Sequence, residues 1–408
     1  MTKMFHASAV IRGDAPALRD AAVVIDEMGG VIDVGPASEL TSRHASATLE
    51  RLRGVVFPGL VNAHTHVELS ALRGRVPGGS GFVAWVEHML SVRADVQPES
   101  DELAISQAVS ELWDFGTALV GDVSNSLASL APLGRKGLSG WVFHEGFGVG
   151  RSAALARASE LEGETRRSDH GMRVAPTVHA LYSTHRDGIA ALAQMARKQN
   201  AKMSLHLAEH AAERRALETA EGPVASWIVR FSGGDTLDWP RKGPIEYADE
   251  LGLLHPDVLL VHMTDAQPRE LDRVIDRKSP IVLCPRSNLF IEVRLPPVLK
   301  MLELGIEPAL GTDSLASNVS LDVLAEARAL ADRFPSLPPS RWLRMATWNG
   351  AQALGFSNYG RIAKGCAPGL VFLEGDLDGV EPERFVLNHV KSKRQWLVPP
   401  RSAVHTVS

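Results

Sequence analysis

Four segments of the sequence end in residue types that bind divalent metals: NAHTHVELS, SLHLAEH, LLVHMTD and ALGTDS. They supply His64 and His66, then His206, His262 and Asp313. His64 and His66 are two apart. Side chains alternate along a strand, so both imidazoles project to one side and form a compact clamp. That clamp alone is weak evidence in a chain with 15 histidines. The other members strengthen it, because His206 ends Met203-Ser204-Leu205-His206 and Asp313 follows Ala309-Leu310-Gly311-Thr312. Three neutral imidazoles and one carboxylate suit a divalent metal with room left for water. Each residue taken singly has a plainer reading, as a hydrogen-bonded core histidine or, for Asp313, as the cap of a helix expected after Ser314.

Three further residues fit the same chemistry. Glu209 lies three positions beyond His206. A partly buried carboxylate there can carry protons for an activated water without binding the metal. The alternative is a solvated glutamate at a helix start, beside His210, Glu213 and Arg214. His262 is either a fifth ligand or the group that steadies charge during hydrolysis, and the second role is expected. His179, in Thr177-Val178-His179, is read as a substrate contact rather than a core histidine.

Such residues need strand ends to carry them. Apolar runs that read as buried strands are Gly54–His66, Thr117–Val123, Gly140–Glu145, Met172–His179, Lys202–Leu207, Val258–His262, Pro280–Cys284 and Ile306–Gly311. Amphipathic helical stretches lie between them, at Asp101–Phe115, Ala153–Thr165, Asp187–Gln199 and Ser320–Ala331. Eight strand–helix units favour a (β/α)8 barrel over an open doubly wound sheet, since no GxGxxG follows the first strand. Short β-like runs near both ends, Ala9–Ile11, Ala22–Ile25, Gly30–Val34, Leu370–Leu373 and Gln395–Val398, suggest a small β unit built from both termini. Gly222–Gly252, rich in Gly, Pro and Trp, reads as a long loop after the fifth strand, either covering the substrate or merely inserted.

Bulk properties narrow the class. The 408 residues carry a formal net charge of -5, mild and scattered, which argues against nucleic acid held by general electrostatics. No apolar run reaches about 18 residues, so a membrane span is not expected. The opening Met-Thr-Lys-Met-Phe-His has no signal-peptide pattern. Cys284 and Cys366 are distant and read as small core residues in a reducing, cytoplasmic protein. The expected partner is a small-molecule substrate, with a homodimer left open as the assembly.

Taken together, the motifs resemble the amidohydrolase superfamily, in its deaminase and chlorohydrolase branch. The matching strings are Phe57-Pro58-Gly59-Leu60-Val61-Asn62-Ala63-His64-Thr65-His66, His206-Leu207-Ala208-Glu209, Cys284-Pro285-Arg286-Ser287-Asn288, Gly311-Thr312-Asp313-Ser314 and Thr347-Trp348-Asn349-Gly350-Ala351. They span nearly the whole chain. The resemblance implies an α/β fold, a distorted TIM (β/α)8 barrel over residues 57–355 with a small β-sandwich domain from 1–56 and 356–408. It implies metal ligands His64, His66, His206 and Asp313, a proton shuttle at Glu209, and His262 orienting the hydrolytic water. Binuclear relatives place a carboxylated lysine on the fourth strand. Here that strand offers His179, which implies one divalent metal, Zn2+ first, with Fe2+ or Mn2+ as alternatives.

HTHVELS with Glu68, the run Arg73-Gly74-Arg75-Val76-Pro77-Gly78-Gly79 and Trp85 beyond it look like aminodeoxyfutalosine deaminases. Ala367-Pro368-Gly369-Leu370-Val371 departs from the family by lacking the usual Ala-Asp pair. The implied activity is hydrolytic deamination of an aminated purine-type ring, such as 6-aminodeoxyfutalosine. Asp313 would take up and return a proton beside Glu209 and His262. Glu68, Trp85, His179 and Arg286 are the candidate substrate contacts, Arg286 facing a substrate carboxylate or else serving as a structural ion-pair partner. The rivals are guanine or cytosine deamination, triazine dechlorination, cyclic amide hydrolysis, and a non-catalytic metal-binding scaffold.

Overall fold

The computed structural model describes residues 2–401 apart from 166 and 236, so the end of the expected C-terminal unit, 402–408, lies outside the described residues. The alternating apolar runs at the start form strands β1 (Lys3–Val10), β2 (Leu18–Ile25) and β3 (Val31–Pro36). The apolar run expected to be one strand over Gly54–His66 is two. Its first half completes β4 (Thr48–Pro58), and its second half is β5 (Leu60–Thr65). The break has a steric cause. Pro58 has no N–H to donate. At Gly59 an added Cβ would lie 2.5 Å from the Ala118 Cβ and 2.6 Å from the Pro368 carbonyl oxygen. The chain therefore steps between two sheets at the one residue that fits.

Eight further strands follow in the middle of the chain, and β8 (Ser168–Asp169) is only a short antiparallel addition to the edge of β9. The rest are β6 (Thr117–Ser124), β7 (Ser139–Gly146), β9 (Met172–Val178), β10 (Met203–Leu207), β11 (Val258–His262), β12 (Ile281–Leu283) and β13 (Ala309–Leu310). β5, β6, β7 and β9 pair in parallel, as do β10, β11, β12 and β13. Two parallel bridges join the sheets, Ala180 to His206 at one seam and Thr65 to Asp313 at the other. Every residue of β5, β6, β7, β10 and β11 is buried. Strands covered on both faces read as continuous apolar runs rather than alternating ones, which is why they are visible in the sequence.

The helices between them carry a single apolar stripe. In Arg186–Lys198 the buried residues Ile189, Leu192, Ala193 and Ala196 recur at i, i+3, i+4 and i+7. All four expected helices form within a few residues of their expected bounds, as Pro98–Asp114, Arg151–Glu164, Arg186–Lys198 and Val323–Arg333. The segment expected to be a long loop at 222–252 is instead largely helical, with Pro223–Phe231 and Pro244–Glu250 each opened by a proline at the first turn. Trp227 is buried there, and Arg230 pairs with Glu87 across to the helix Phe82–Ala94 at 2.6 Å.

Both ends of the chain share one mixed sheet. With β14 (Leu370–Glu374) and β15 (Gln395–Val398), its order is β15-β14-β4-β1-β2-β3. Among the described residues these strands join edge to edge in a single sheet, where a sandwich would need two facing ones. Cys284 and Cys366 are both buried and free. No helix of the described residues is long and apolar enough to cross a membrane.

Glu326, in the helix Val323–Arg333, ties two loops at the carboxyl side of the parallel strands. It accepts from the Arg286 backbone N–H at 2.8 Å and from the Asn318 side-chain amide at 2.8 Å, and it is fully buried. Burial raises its pKa to about 7, against the lowering influence of Arg286. The folded state thus holds a proton that the unfolded chain releases near 4.5. Its contribution is fully present below 4.5 and is lost as pH rises through about 7. Glu326→Gln removes this component, on the order of 3 kcal/mol across that window. Denaturant titrations from pH 4.5 to 8 should show a shallower loss of stability in the variant. Parallel profiles would reject the assignment.

Candidate metal centre

The carboxyl ends of the parallel strands bring the expected ligands together. His64 lies on β5 and His66 just beyond it, His206 is on β10, and Asp313 follows β13 by three residues. The His66 and His206 Nε2 atoms are 3.2 Å apart. Asp313 Oδ1 stands 3.7 Å from His66 Nε2 and 3.9 Å from His64 Nε2. His64, His66 and His206 form a group whose potential ligand atoms all lie within 4.8 Å of one another. His64 Nε2 is buried without a hydrogen-bond partner.

The other atoms of these side chains are held by the protein. His206 Nδ1 meets the His179 carbonyl at 2.8 Å. A carbonyl only accepts, so Nδ1 carries the proton and the Nε2 lone pair faces His66. His64 Nδ1 is 3.3 Å from the Ser204 hydroxyl. Asp313 Oδ2 accepts from Ser287 at 2.5 Å and from Ser317 at 2.9 Å, leaving Oδ1 toward the histidines. Asp313 does not cap a helix. Asp322 does so instead, accepting from the Leu324 N–H at 3.0 Å.

Several of these strand ends turn through left-handed backbone at residues other than glycine: Ala208 (φ 49°), His262 (74°), Met263 (54°) and Asp313 (57°). Such conformations cost energy and persist only where the surroundings fix them. Here the Asp313 N–H donates to the His64 carbonyl at 3.1 Å, Met263 to Leu207 at 3.1 Å, and Asp265 to Ala208 at 2.7 Å.

Electrostatics match a cation site. Burial lowers the pKa of His64 well below its ordinary value, and neighbouring histidines lower it further. Burial takes His206 to about 3, and His179 and His262 to about 4, so these rings are neutral and their lone pairs are available at neutral pH. Burial pushes Asp313 up, yet the favourable electrostatic influence of the adjacent His66 and His262 rings and the two serine hydroxyls outweighs it and holds the carboxylate below its usual range. Partnerless buried nitrogen, neutral imidazoles and one anchored carboxylate fit a divalent metal of borderline softness.

Glu209 follows the left-handed Ala208 and is 5% exposed. Its Oε1 is 3.6 Å from His262 Nε2. Glu213 fixes the turn by accepting from the Ala208 and Glu209 backbone N–H groups at 3.1 and 2.8 Å. Burial raises the Glu209 pKa well above the ordinary carboxylate range, with Asp313, Glu213 and Glu292 adding to the rise. Its surroundings therefore favour the protonated carboxyl over the carboxylate.

The candidate substrate contacts part company. His179 stays beside the centre, its ring centroid 5.1 Å from that of His206 and its Nδ1 2.6 Å from the Ser183 hydroxyl. Trp85 is buried, with its indole N–H 3.4 Å from the Ala316 carbonyl and its ring against Phe82. Glu68 turns to the loop after β6, where both oxygens are taken up by Ser124, Asn125 and Ser126, including the Asn125 N–H at 2.8 Å. Five donors fill a carboxylate with about four lone-pair sites, so Glu68 positions the loop. Arg286 takes its structural alternative, with Ser320 at 3.2 Å and Glu326 at 3.7 Å.

Other residues line the centre that motif reading passed over. Phe82 stacks on His210 at 4.2 Å and meets Tyr182 edge-on at 5.9 Å. Tyr182 Oη, His210 Nε2 and Glu145 Oε1 are buried without hydrogen-bond partners. Glu145 Oε1 lies 3.7 Å from His206 Nδ1. The available signal was position, since Glu145 nears the end of β7 and His210 directly follows Glu209. Phe82 gave none, because its role arises from a fold-back of the segment after β5. That segment is fastened to the helix Pro285–Glu292, with Gly79 donating to the Phe290 carbonyl at 2.7 Å and Phe82 N–H to Glu292 at 2.7 Å.

Because Ser287 and Ser317 together aim Asp313, the double variant Ser287→Ala/Ser317→Ala should bind zinc about 10- to 100-fold more weakly. Competition with a chromogenic chelator measures this. Unchanged affinity would show that Asp313 needs no such support.

A model of the amidohydrolase family matches residues 55–395. A 5-methylthioadenosine/S-adenosylhomocysteine deaminase of Nitratidesulfovibrio vulgaris is 28% identical over 399 residues, 93% of this chain and 85% of that protein. An aminodeoxyfutalosine deaminase of Deinococcus radiodurans is 29% identical over 349 residues, 80% of this chain and 81% of its own. The crystal structure of an adenosine deaminase from Xanthomonas campestris with bound zinc is 25% identical with a TM-score of 0.76, covering 98% of this chain and 92% of that one.

Proposed function

Because the chain belongs to the amidohydrolase family, we propose that its buried histidine–aspartate cluster serves hydrolytic deamination of an adenine nucleoside. The relatives named above act on adenine nucleosides, which supports the substrate class. Among them 6-aminodeoxyfutalosine is our first candidate, on the HTHVELS stretch. The observation that carries the reading is the partnerless His64 Nε2 beside the 3.2 Å contact between His66 and His206, with Asp313 Oδ1 facing both clamp histidines. We also read the eight parallel strands, joined at both seams by single bridges, as a distorted (β/α)8 barrel over 57–355. Residues 1–56 and 356–408 would make the smaller β domain.

His64, His66, His206 and Asp313 would hold one divalent metal, zinc as in the Xanthomonas enzyme. When bound, such an ion polarises water and lowers its pKa toward neutrality. The protein's own groups do the rest. Protonated Glu209 gives its proton to the ring nitrogen adjacent to the carbon that bears the amino group, making that carbon electrophilic. Asp313 takes the proton that water loses as its oxygen bonds to this carbon. His262 lies beside Glu209 and steadies the negative charge that develops there. Asp313 returns its proton to the amino nitrogen, the C–N bond breaks as the new hydroxyl gives its proton to the Glu209 carboxylate, and ammonia leaves a ring that carries a carbonyl oxygen and the proton on its nitrogen. His179, Tyr182, His210 and Phe82 pack beside the cluster, and the buried Tyr182 Oη and His210 Nε2 have no partner within the protein.

Zinc-loaded protein should release ammonia from at least one of adenosine, 5-methylthioadenosine, S-adenosylhomocysteine and aminodeoxyfutalosine. Guanine, cytosine and a chlorotriazine serve as the comparison set. Release confined to that set, or chloride from the triazine, would replace the proposal with one of its rivals. Glu209→Gln should keep its metal and lose about 10²–10⁴-fold in kcat. Full turnover in that variant would remove the shuttle.

A further inference from the structure

Asn288 is 1% exposed and sits in the helix Pro285–Glu292, outside every role assigned so far. Its side-chain nitrogen is 3.1 Å from His262 Nδ1. Its Oδ1 is buried with no partner. Inside the molecule the Asn288 amide is thus aimed at one atom, the ring nitrogen of His262 that faces away from Glu209.

The orientation has chemical meaning. An amide N–H donates, so Nδ1 must present its lone pair, and the ring proton then resides on Nε2. Nε2 is the atom 3.6 Å from Glu209 Oε1. The backbone at His262 is left-handed, so the ring is carried by a residue that needs external fixing.

We propose that Asn288 is a positioning residue that donates to His262 Nδ1 and thereby locks His262 as an Nε2–H donor facing the reacting groups. This separates His262 from the metal ligands. A ring with a proton on Nε2 cannot ligate through that atom, so His262 works as a hydrogen-bond donor to charge formed in the reaction. The inference builds on the deaminase reading, but its central claim concerns a tautomer and is measurable without any substrate.

The test has two arms. In the first, ring 15N chemical shifts are recorded on histidine-labelled, zinc-loaded protein, with His262 identified by the signals lost in His262→Asn. Protonated Nε2 and unprotonated Nδ1 are expected, and the reverse pattern would overturn the proposal whatever the substrate proves to be. In the second, Asn288→Asp puts an acceptor where the donor stood and forces the proton onto Nδ1. We expect kcat to fall about 10- to 100-fold, with KM and bound zinc within about two-fold of the parent. Unchanged kcat would overturn the donor role. Asn288→Ser, which keeps a hydroxyl donor, should recover part of the loss. If Asn288→Asp does not fold, Asn288→Ser and the shifts of the parent protein decide the matter.

Discussion

The centre of this molecule is a group of imidazoles buried with lone pairs that no protein donor satisfies. Leaving a polar atom unpaired in the interior costs about 1–3 kcal/mol, and His64 Nε2 is one such atom in a chain whose remaining buried polar groups are mostly paired. The arrangement holds because the far side of each group is fixed. Ser204 faces His64, the His179 carbonyl accepts from His206, and two serines grip Asp313. These supports come from β10, from the residue after β9, from the helix after β12 and from the loop after β13. The strand order is therefore part of the chemistry. A centre assembled from separate strand ends is only as accurate as the seams that align them, and the Thr65–Asp313 bridge joins the first and last of these strands directly beside the clamp.

The same economy governs electrostatics. Burial that makes the histidines neutral also favours the protonated form of Glu209, so one physical cause acts on the lone-pair donors and on the carboxyl beside them. Asp313 escapes it because His66, His262 and two hydroxyls stabilise the charged form. The protein thus shifts two neighbouring carboxyls in opposite directions, Asp313 toward the carboxylate and Glu209 toward the acid.

Much of this was legible in the residues. HxH spacing and the apolar runs before His206, His262 and Asp313 locate the strand ends, because buried parallel strands leave uninterrupted apolar segments. Periodicity found the helices for the same kind of reason. It could not see that Gly54–His66 serves two sheets, since Pro58-Gly59 lies inside a single apolar stretch and the constraint comes from Ala118 and Pro368 across the fold. Nor could it place Glu68 and Arg286. A charged residue near a motif looks the same whether it faces a ligand or a neighbouring loop, and only tertiary contacts show Glu68 holding Ser124–Ser126 and Arg286 meeting Glu326. The 222–252 segment misled by composition, for its prolines begin helices and its Trp227 is core.

The sheet that joins the two ends of the chain sets an order of events during synthesis. β4 lies between β1, the first strand made, and β14, made last but one among the strands. Val55 and Val56 pair with Ala9 and Val10 on one side and with Leu373 and Phe372 on the other. Every residue of the histidine–aspartate cluster leaves the ribosome before that second edge is covered. A nascent chain must therefore carry a bare apolar strand edge through most of its translation, the kind of surface that recruits other chains or chaperones.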